Sequence, residues 1–258
     1  MRFQRLLVGA LGAALLGAFP VALASSPAQA GAALQTSIDG TYTSPLAGES
    51  YYRYGRTIKF NLNVRAQCAP DDTEPYDCTP PDEPGDSVKL QRQIKGSTSW
   101  ATVSTAFDAS APVSFTTSSV GTATYRIVYS GGTSLGYAPV TVTTPVLKGS
   151  RNPNTRGVKS GGKLYLKGNV NPGWGNRYVT IQKKNCKSCS WYKFKSVKTN
   201  RYGAYAGRIY APRSGSDFFR VKVPATAPRY VTGYSVKIYE TYQYRARTGT
   251  PGAGLTAR

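Results

Sequence analysis

Apolar and polar residues alternate through Thr57–Val64, placing Ile58, Phe60 and Leu62 on one side, as in a strand with one buried face. Lys163–Val170 repeats the pattern 106 positions later with Leu164 and Leu166. Val88-Lys-Leu-Gln-Arg92 and Val179-Thr-Ile-Gln-Lys183 stand 91 apart, and so do Trp100 and Trp191. Tyr125-Arg-Ile127 recurs as Phe219-Arg-Val221 after 94 residues, and Val140-Thr-Val142 as Val236-Lys-Ile238 after 96. Matches in one order, broken by a single 15-residue step, describe a tandem duplication whose first copy carries an insertion at 68–86.

Short alternating runs separated by Gly, Pro and Ser turns predict strands and no long helix. In the first copy they fall near 35–43, 57–64, 87–94, 100–105, 112–117, 123–129 and 138–144. In the second they fall near 145–149, 163–170, 178–184, 191–198, 203–210, 217–223 and 232–240. The inward set is Ile58, Phe60, Leu62, Val88, Leu90, Tyr125, Ile127, Val140 and Val142, then Leu164, Leu166, Val170, Val179, Ile181, Phe219, Val221, Val236 and Ile238. Trp100 and Trp191, at matched positions, are expected between the sheets. The expected fold is all-β: two tandem antiparallel β-sandwiches over 31–144 and 145–242, followed by a flexible tail at 243–258.

Residues 1–30 stand apart from that pattern. A positive start (Arg2, Arg5), an apolar run from Leu6 to Leu23 and the small-residue exit Ala28-Gln-Ala30 read as a cleaved secretory signal peptide. No second apolar stretch follows, so a secreted, extracellular protein without a membrane span is expected. In an oxidising compartment the four cysteines read as two local disulfides, Cys68 with Cys78 and Cys186 with Cys189. The chain has no His, which removes histidine triads, histidine-ligated zinc and imidazole proton shuttles; no metal or cofactor is expected.

The segments Gly162-Lys-Leu-Tyr-Leu-Lys-Gly-Asn-Val170, Val179-Thr-Ile-Gln-Lys183, Trp191, Gly203-Ala-Tyr205, Phe219-Arg-Val221 and Tyr234-Ser-Val236 resemble the Ig-like repeats of secreted and surface bacterial proteins. The resemblance spans almost the whole chain after residue 30. It implies a fold and a repeat type, not an activity, since such modules serve as spacers, adhesins and accessory domains alike.

Charge separates the two copies. Residues 31–145 hold 8 Lys and Arg against 10 Asp and Glu, seven of those acids lying in the insertion. Residues 146–258 hold 23 Lys and Arg against only Asp217 and Glu240. A field of that size attracts polyanions, so the expected partner is an anionic polymer such as wall teichoic acid or acidic polysaccharide, with the protein held at the wall. No recognition helix or basic ribbon points to sequence-specific nucleic acid. A passive spacer and a secreted glycan-binding accessory protein are the alternatives.

An enzyme is not expected: the second copy has two carboxylates and no paired arrangement, and the acids of the first lie mostly in one loop. The candidate ligand residues are Trp174 and Arg177 in the loop Asn171–Tyr178, with Arg229 and Tyr230 in the loop Pro224–Thr232. Sandwich topology brings those loops to one end. There Trp174 offers either a stacking face or a lid over the core. The acidic insertion is read as a solvated loop held by Cys68–Cys78, with a second reading as a competitor for the basic domain.

Overall fold

The computed structural model describes residues 33–67, 86–109, 111–132 and 136–241, together with the backbone of 254–257. The expected signal peptide, residues 68–85 of the acidic insertion with the Cys68–Cys78 pair, and residues 242–253 lie outside the described residues, while Asp86, the last acid of the insertion, is buried and not solvated. The described chain is all-β, with no helix among those residues. In chain order the first half contains β1 (Thr36–Tyr42), β2 (Tyr52–Arg53), β3 (Thr57–Ala66), β4 (Val88–Ile94), β5 (Ala101–Ala106), β6 (Val113–Ser118), β7 (Ala123–Tyr129) and β8 (Val140–Thr143). The second half contains β9 (Gly149–Ser150), β10 (Asn152–Ser160), β11 (Lys163–Asn171), β12 (Tyr178–Lys184), β13 (Tyr192–Lys198), β14 (Ala204–Ile209), β15 (Ser216–Val223), β16 (Gly233–Tyr234), β17 (Ile238–Thr241) and β18 (Gly254–Ala257).

Each half is a sandwich of two antiparallel sheets around its own core. The sheet β1-β3-β6 faces β5-β4-β7-β8, and the sheet β10-β11-β14 faces β13-β12-β15-β17. Alternation in β3 buries every second residue from Ile58 to Ala66, which stack on Leu90, Tyr125 and Ile127 of the opposite sheet. The second core repeats this with Leu164, Leu166, Val179, Ile181, Phe219 and Val221. Phe60 and Tyr125 lie 5.2 Å apart at the centre of the first core, a ring contact that adds to the area both bury.

Several expectations need correction. Val142 is 38% exposed because β8 closes the sheet edge and the opposing strand leaves it half covered. Val236 is 41% exposed, since it lies in the break between β16 and β17 while Ser235 turns inward and bonds Val221 in both directions. Trp100 and Trp191 lie on the outer sheet faces, only partly buried, and not between the sheets. The expected strand 145–149 is replaced by the two-residue β9 and the longer β10. At the C-terminus, Gly254–Ala257 pairs antiparallel with β17, so the end of the expected tail is sheet.

The link between the sandwiches is woven into both. Leu147 is buried in the first core and its backbone bonds Ala123 in both directions. Gly149 and Ser150 then run parallel to Tyr52 and Arg53. A Cβ on Gly149 would collide with the backbone of Gly121, so the close approach of these two chains requires glycine there. Ala123 faces Leu147 in an isolated antiparallel bridge of the first sandwich, and Asp217 faces Glu240 in the β15–β17 ladder of the second.

Candidate functional site

All four expected ligand residues converge, but on the junction and not on an open pole. Trp174 is buried at 6% exposure, and its indole N–H donates to the Tyr178 carbonyl at 3.1 Å. The Arg151 guanidinium stands 4.7 Å from the Trp174 ring and 4.2 Å from the Tyr230 ring, while Arg177 covers Trp174 from 4.9 Å. Arg151 also donates to the Pro172 carbonyl (3.2 Å) and to Thr226 Oγ1 (2.8 Å). Burial holds its pKa below the ordinary arginine value. Tyr230 reaches across to the first sandwich, its hydroxyl donating to the Val120 carbonyl at 3.2 Å, and the Thr122 N–H donates to the Arg229 carbonyl at 2.7 Å. Of the two readings of Trp174, the geometry is that of a lid on the core. Arg177 and Arg229 remain exposed, but the Trp174 and Tyr230 rings they cover are buried.

A second group of cations and rings occupies the outer face of the sheet β12-β15-β17. Strand alternation places it there: Val179 and Ile181 point inward, so Gln182 and Lys184 point out, and Phe219 and Val221 leave Phe218 and Arg220 outside. The Arg220 guanidinium lies between Trp191 (4.4 Å) and Tyr234 (4.0 Å), with its Nε donating to Gln182 Oε1 at 2.8 Å. The first sandwich has the same trio: Arg126 lies 4.4 Å over Trp100 and donates to Gln91 Oε1 at 2.7 Å. This repeated unit is part of how each sheet is built.

Beyond the trio the copies diverge. Next to it in the second sandwich is a groove of ≈ 520 Å³ lined by Lys184, Lys187, Lys237, Phe218, Tyr239 and Thr241. Lys184 is buried at 7% exposure, 5.3 Å from both the Trp191 and Phe218 rings, and its ammonium donates to the Lys187 carbonyl. Phe218 and Tyr239 are ring neighbours at 6.3 Å, tilted by 41°. In the first sandwich the ladder pair matching Lys184–Phe218 is Gln93–Thr124.

The hairpin that carries Lys187 is closed by the Cys186–Cys189 disulfide, as expected. The acids of the second sandwich do not reach this face. Asp217 is buried and pairs with Lys183 at 2.7 Å. Glu240 is fully buried, and neither carboxylate oxygen has a hydrogen-bond partner among the described residues. Desolvation, then the neighbouring Asp217 carboxylate, pushes the Glu240 pKa up to about 7. Among the described residues no cation of the outer face is matched by a carboxylate within ion-pair distance. These residues were legible in the outward parity of β12 and β15, which the inward reading passed over.

No family model matches the chain, and no curated protein matches it in sequence. A solved structure described as a marsupial T cell receptor is similar at 9% identity and a TM-score of 0.26, over 76% of this chain and 61% of that one. The chain thus covers less than two thirds of that structure's length. Among the described residues no helix is long and apolar enough to cross a membrane.

Proposed function

We propose that this is a secreted, non-enzymatic pair of Ig-like repeats of the bacterial surface type, whose second sandwich associates with an anionic cell-envelope polymer. The observation that carries the reading is the inward placement of Asp217 and Glu240. With both acids buried, the described exterior of the second sandwich presents its Lys and Arg side chains without acidic compensation. Self-repulsion of that kind costs stability. It is offset when a polyanion binds the surface and releases its own condensed counterions to bulk solution. The woven junction supports a second reading, a stiff spacer, because Tyr230, Arg229 and Leu147 tie the two sandwiches together.

The test is retention of the full chain on purified wall teichoic acid and on heparin across a sodium chloride series. Polymer association gives log affinity falling linearly with log salt, with a slope set by the cations engaged. A chain that passes both matrices at low salt leaves the spacer reading.

A further inference from the structure

The groove beside Lys184 differs from the rest of the basic surface in having aromatic walls. We infer that it binds an acidic sugar unit of an anionic polysaccharide, its pyranose ring lying on Phe218 and Tyr239 and its carboxylate among Lys184, Lys187 and Lys237. The inference rests on the anionic-polymer reading and gives it a position and a ligand class. Three observations carry it.

First, Lys184 is an ammonium more than nine-tenths buried whose recorded hydrogen bond is to a single carbonyl, with no carboxylate in ion-pair contact. A buried cation is normally paired, so this one is set to receive a negative group from outside. Second, the internal duplication acts as a control. The Trp-Arg-Gln trio is kept in both copies, so it serves the fold. The ladder pair Lys184–Phe218 stands where the first copy has the neutral pair Gln93–Thr124. Tyr239, cross-strand from Phe218, completes the wall. The groove is therefore a feature of the second copy and not a requirement of the sandwich.

Third, the chemistry of the walls is selective. Three ammonium groups and the hydroxyls of Ser216, Tyr239 and Thr241 surround two half-buried rings. Among the described residues the lining holds no carboxylate or side-chain amide. A uronic acid matches this, since its carboxylate, ring oxygen and hydroxyls all accept hydrogen bonds while its C–H face lies on an aromatic ring. An adenine, cytosine or guanine stacked there would bring exocyclic amino donors to a wall made mostly of donors. The ≈ 520 Å³ volume admits one or two sugar rings.

The experiment uses the full chain and titrates a galacturonic acid tetrasaccharide, a neutral galactose tetrasaccharide and a deoxycytidine oligonucleotide of equal charge to the first. Two variants, Lys184→Gln and Phe218→Thr, introduce residues that the first copy carries at the matching ladder positions, so the sheet accommodates them. Lys198→Gln, on an exposed strand residue away from the groove, controls for loss of one charge. The expected result is binding of the uronate, none of the neutral sugar, and a loss of about tenfold or more in both groove variants. The Lys198→Gln control should lose no more than about threefold. Equal losses in Phe218→Thr and Lys198→Gln, or tighter binding of the oligonucleotide, overturn the sugar assignment. Salt-sensitive retention on the phosphate-bearing wall teichoic acid without uronate binding overturns the groove alone. Failure to bind any polyanion removes the anionic-polymer reading with it.

Discussion

Glu240 faces Asp217 across the β15–β17 ladder, at the position where Leu147 faces Ala123 in the first sandwich. The second copy thus buries an acid where the first buries an aliphatic side chain. The groups around it are Asp217 on β15, with Lys183 of β12 already bound to it, and Lys159 of β10. The folded-state pKa of Glu240 is raised from 4.5 to about 7. A raised carboxyl pKa costs stability as pH rises, because the unfolded chain ionises first. The cost is absent below pH ~4.5, grows through the interval to about 7 and is constant above it. It reaches at most about 3 kcal/mol. Glu240→Leu should raise the melting temperature at pH 8 and leave it nearly unchanged at pH 4. Equal effects at both values would mean that ionisation at this site does not govern stability.

The ring of Trp174 is a core element, and truncating it tests packing before it tests binding. Trp174→Ala should destabilise the fold by about 3–5 kcal/mol, since it empties a buried site and strips Arg151 and Arg177 of their ring contacts. Chemical denaturation of the full chain measures this directly. A loss below about 1 kcal/mol would place the ring in solvent.

The strands with clean period-two alternation were legible because one face of each is dry. β3, β4, β7, β11, β12 and β15 lie within a residue or two of where the alternation puts them. β10 was not legible. Its sequence, Asn-Pro-Asn-Thr-Arg-Gly-Val-Lys-Ser, buries Pro153 and Thr155, so no apolar alternation announces a strand. Trp100 and Trp191 misled for a different reason. Size suggests burial, yet each ring is covered by the aliphatic and guanidinium parts of Arg126 or Arg220, which protect a large ring on the outside of a sheet. The same pairing of arginine with aromatic closes Trp174 under Arg151. A sequence pattern of isolated aromatics and cations does not reveal that Arg126, Arg151 and Arg220 lie over Trp100, Trp174 and Trp191, because these partners are 23 to 29 positions apart.

The junction depends on backbone contact, so a single methyl group should open it. Gly149→Ala places a Cβ against the Gly121 backbone, where no side chain can move aside. The β2–β9 pairing and the bond from Thr122 to Arg229 should be lost together. The expected outcome is a calorimetric melt resolved into two transitions, one per core, and faster proteolysis at 145–150. One unchanged cooperative transition would show that the sandwiches stay coupled through other contacts.

Reduction should act on the groove more than on the fold. Cys186–Cys189 closes a loop of sequence separation 3 in the hairpin between β12 and β13, and a loop that small contributes about 2 kcal/mol through chain entropy. The same hairpin supplies the Lys187 carbonyl that accepts from the Lys184 ammonium. Opening it therefore frees Lys184 and moves Lys187, while both hydrophobic cores keep their contacts. A Cys186→Ser/Cys189→Ser double variant should fold with its melting temperature lowered by only a few degrees. Its uronate affinity should fall by about the same factor as that of Lys184→Gln, with retention on wall teichoic acid nearly unchanged. If uronate binding survives the double substitution in full, Lys184 does not need the hairpin to hold it, and the disulfide serves the fold alone.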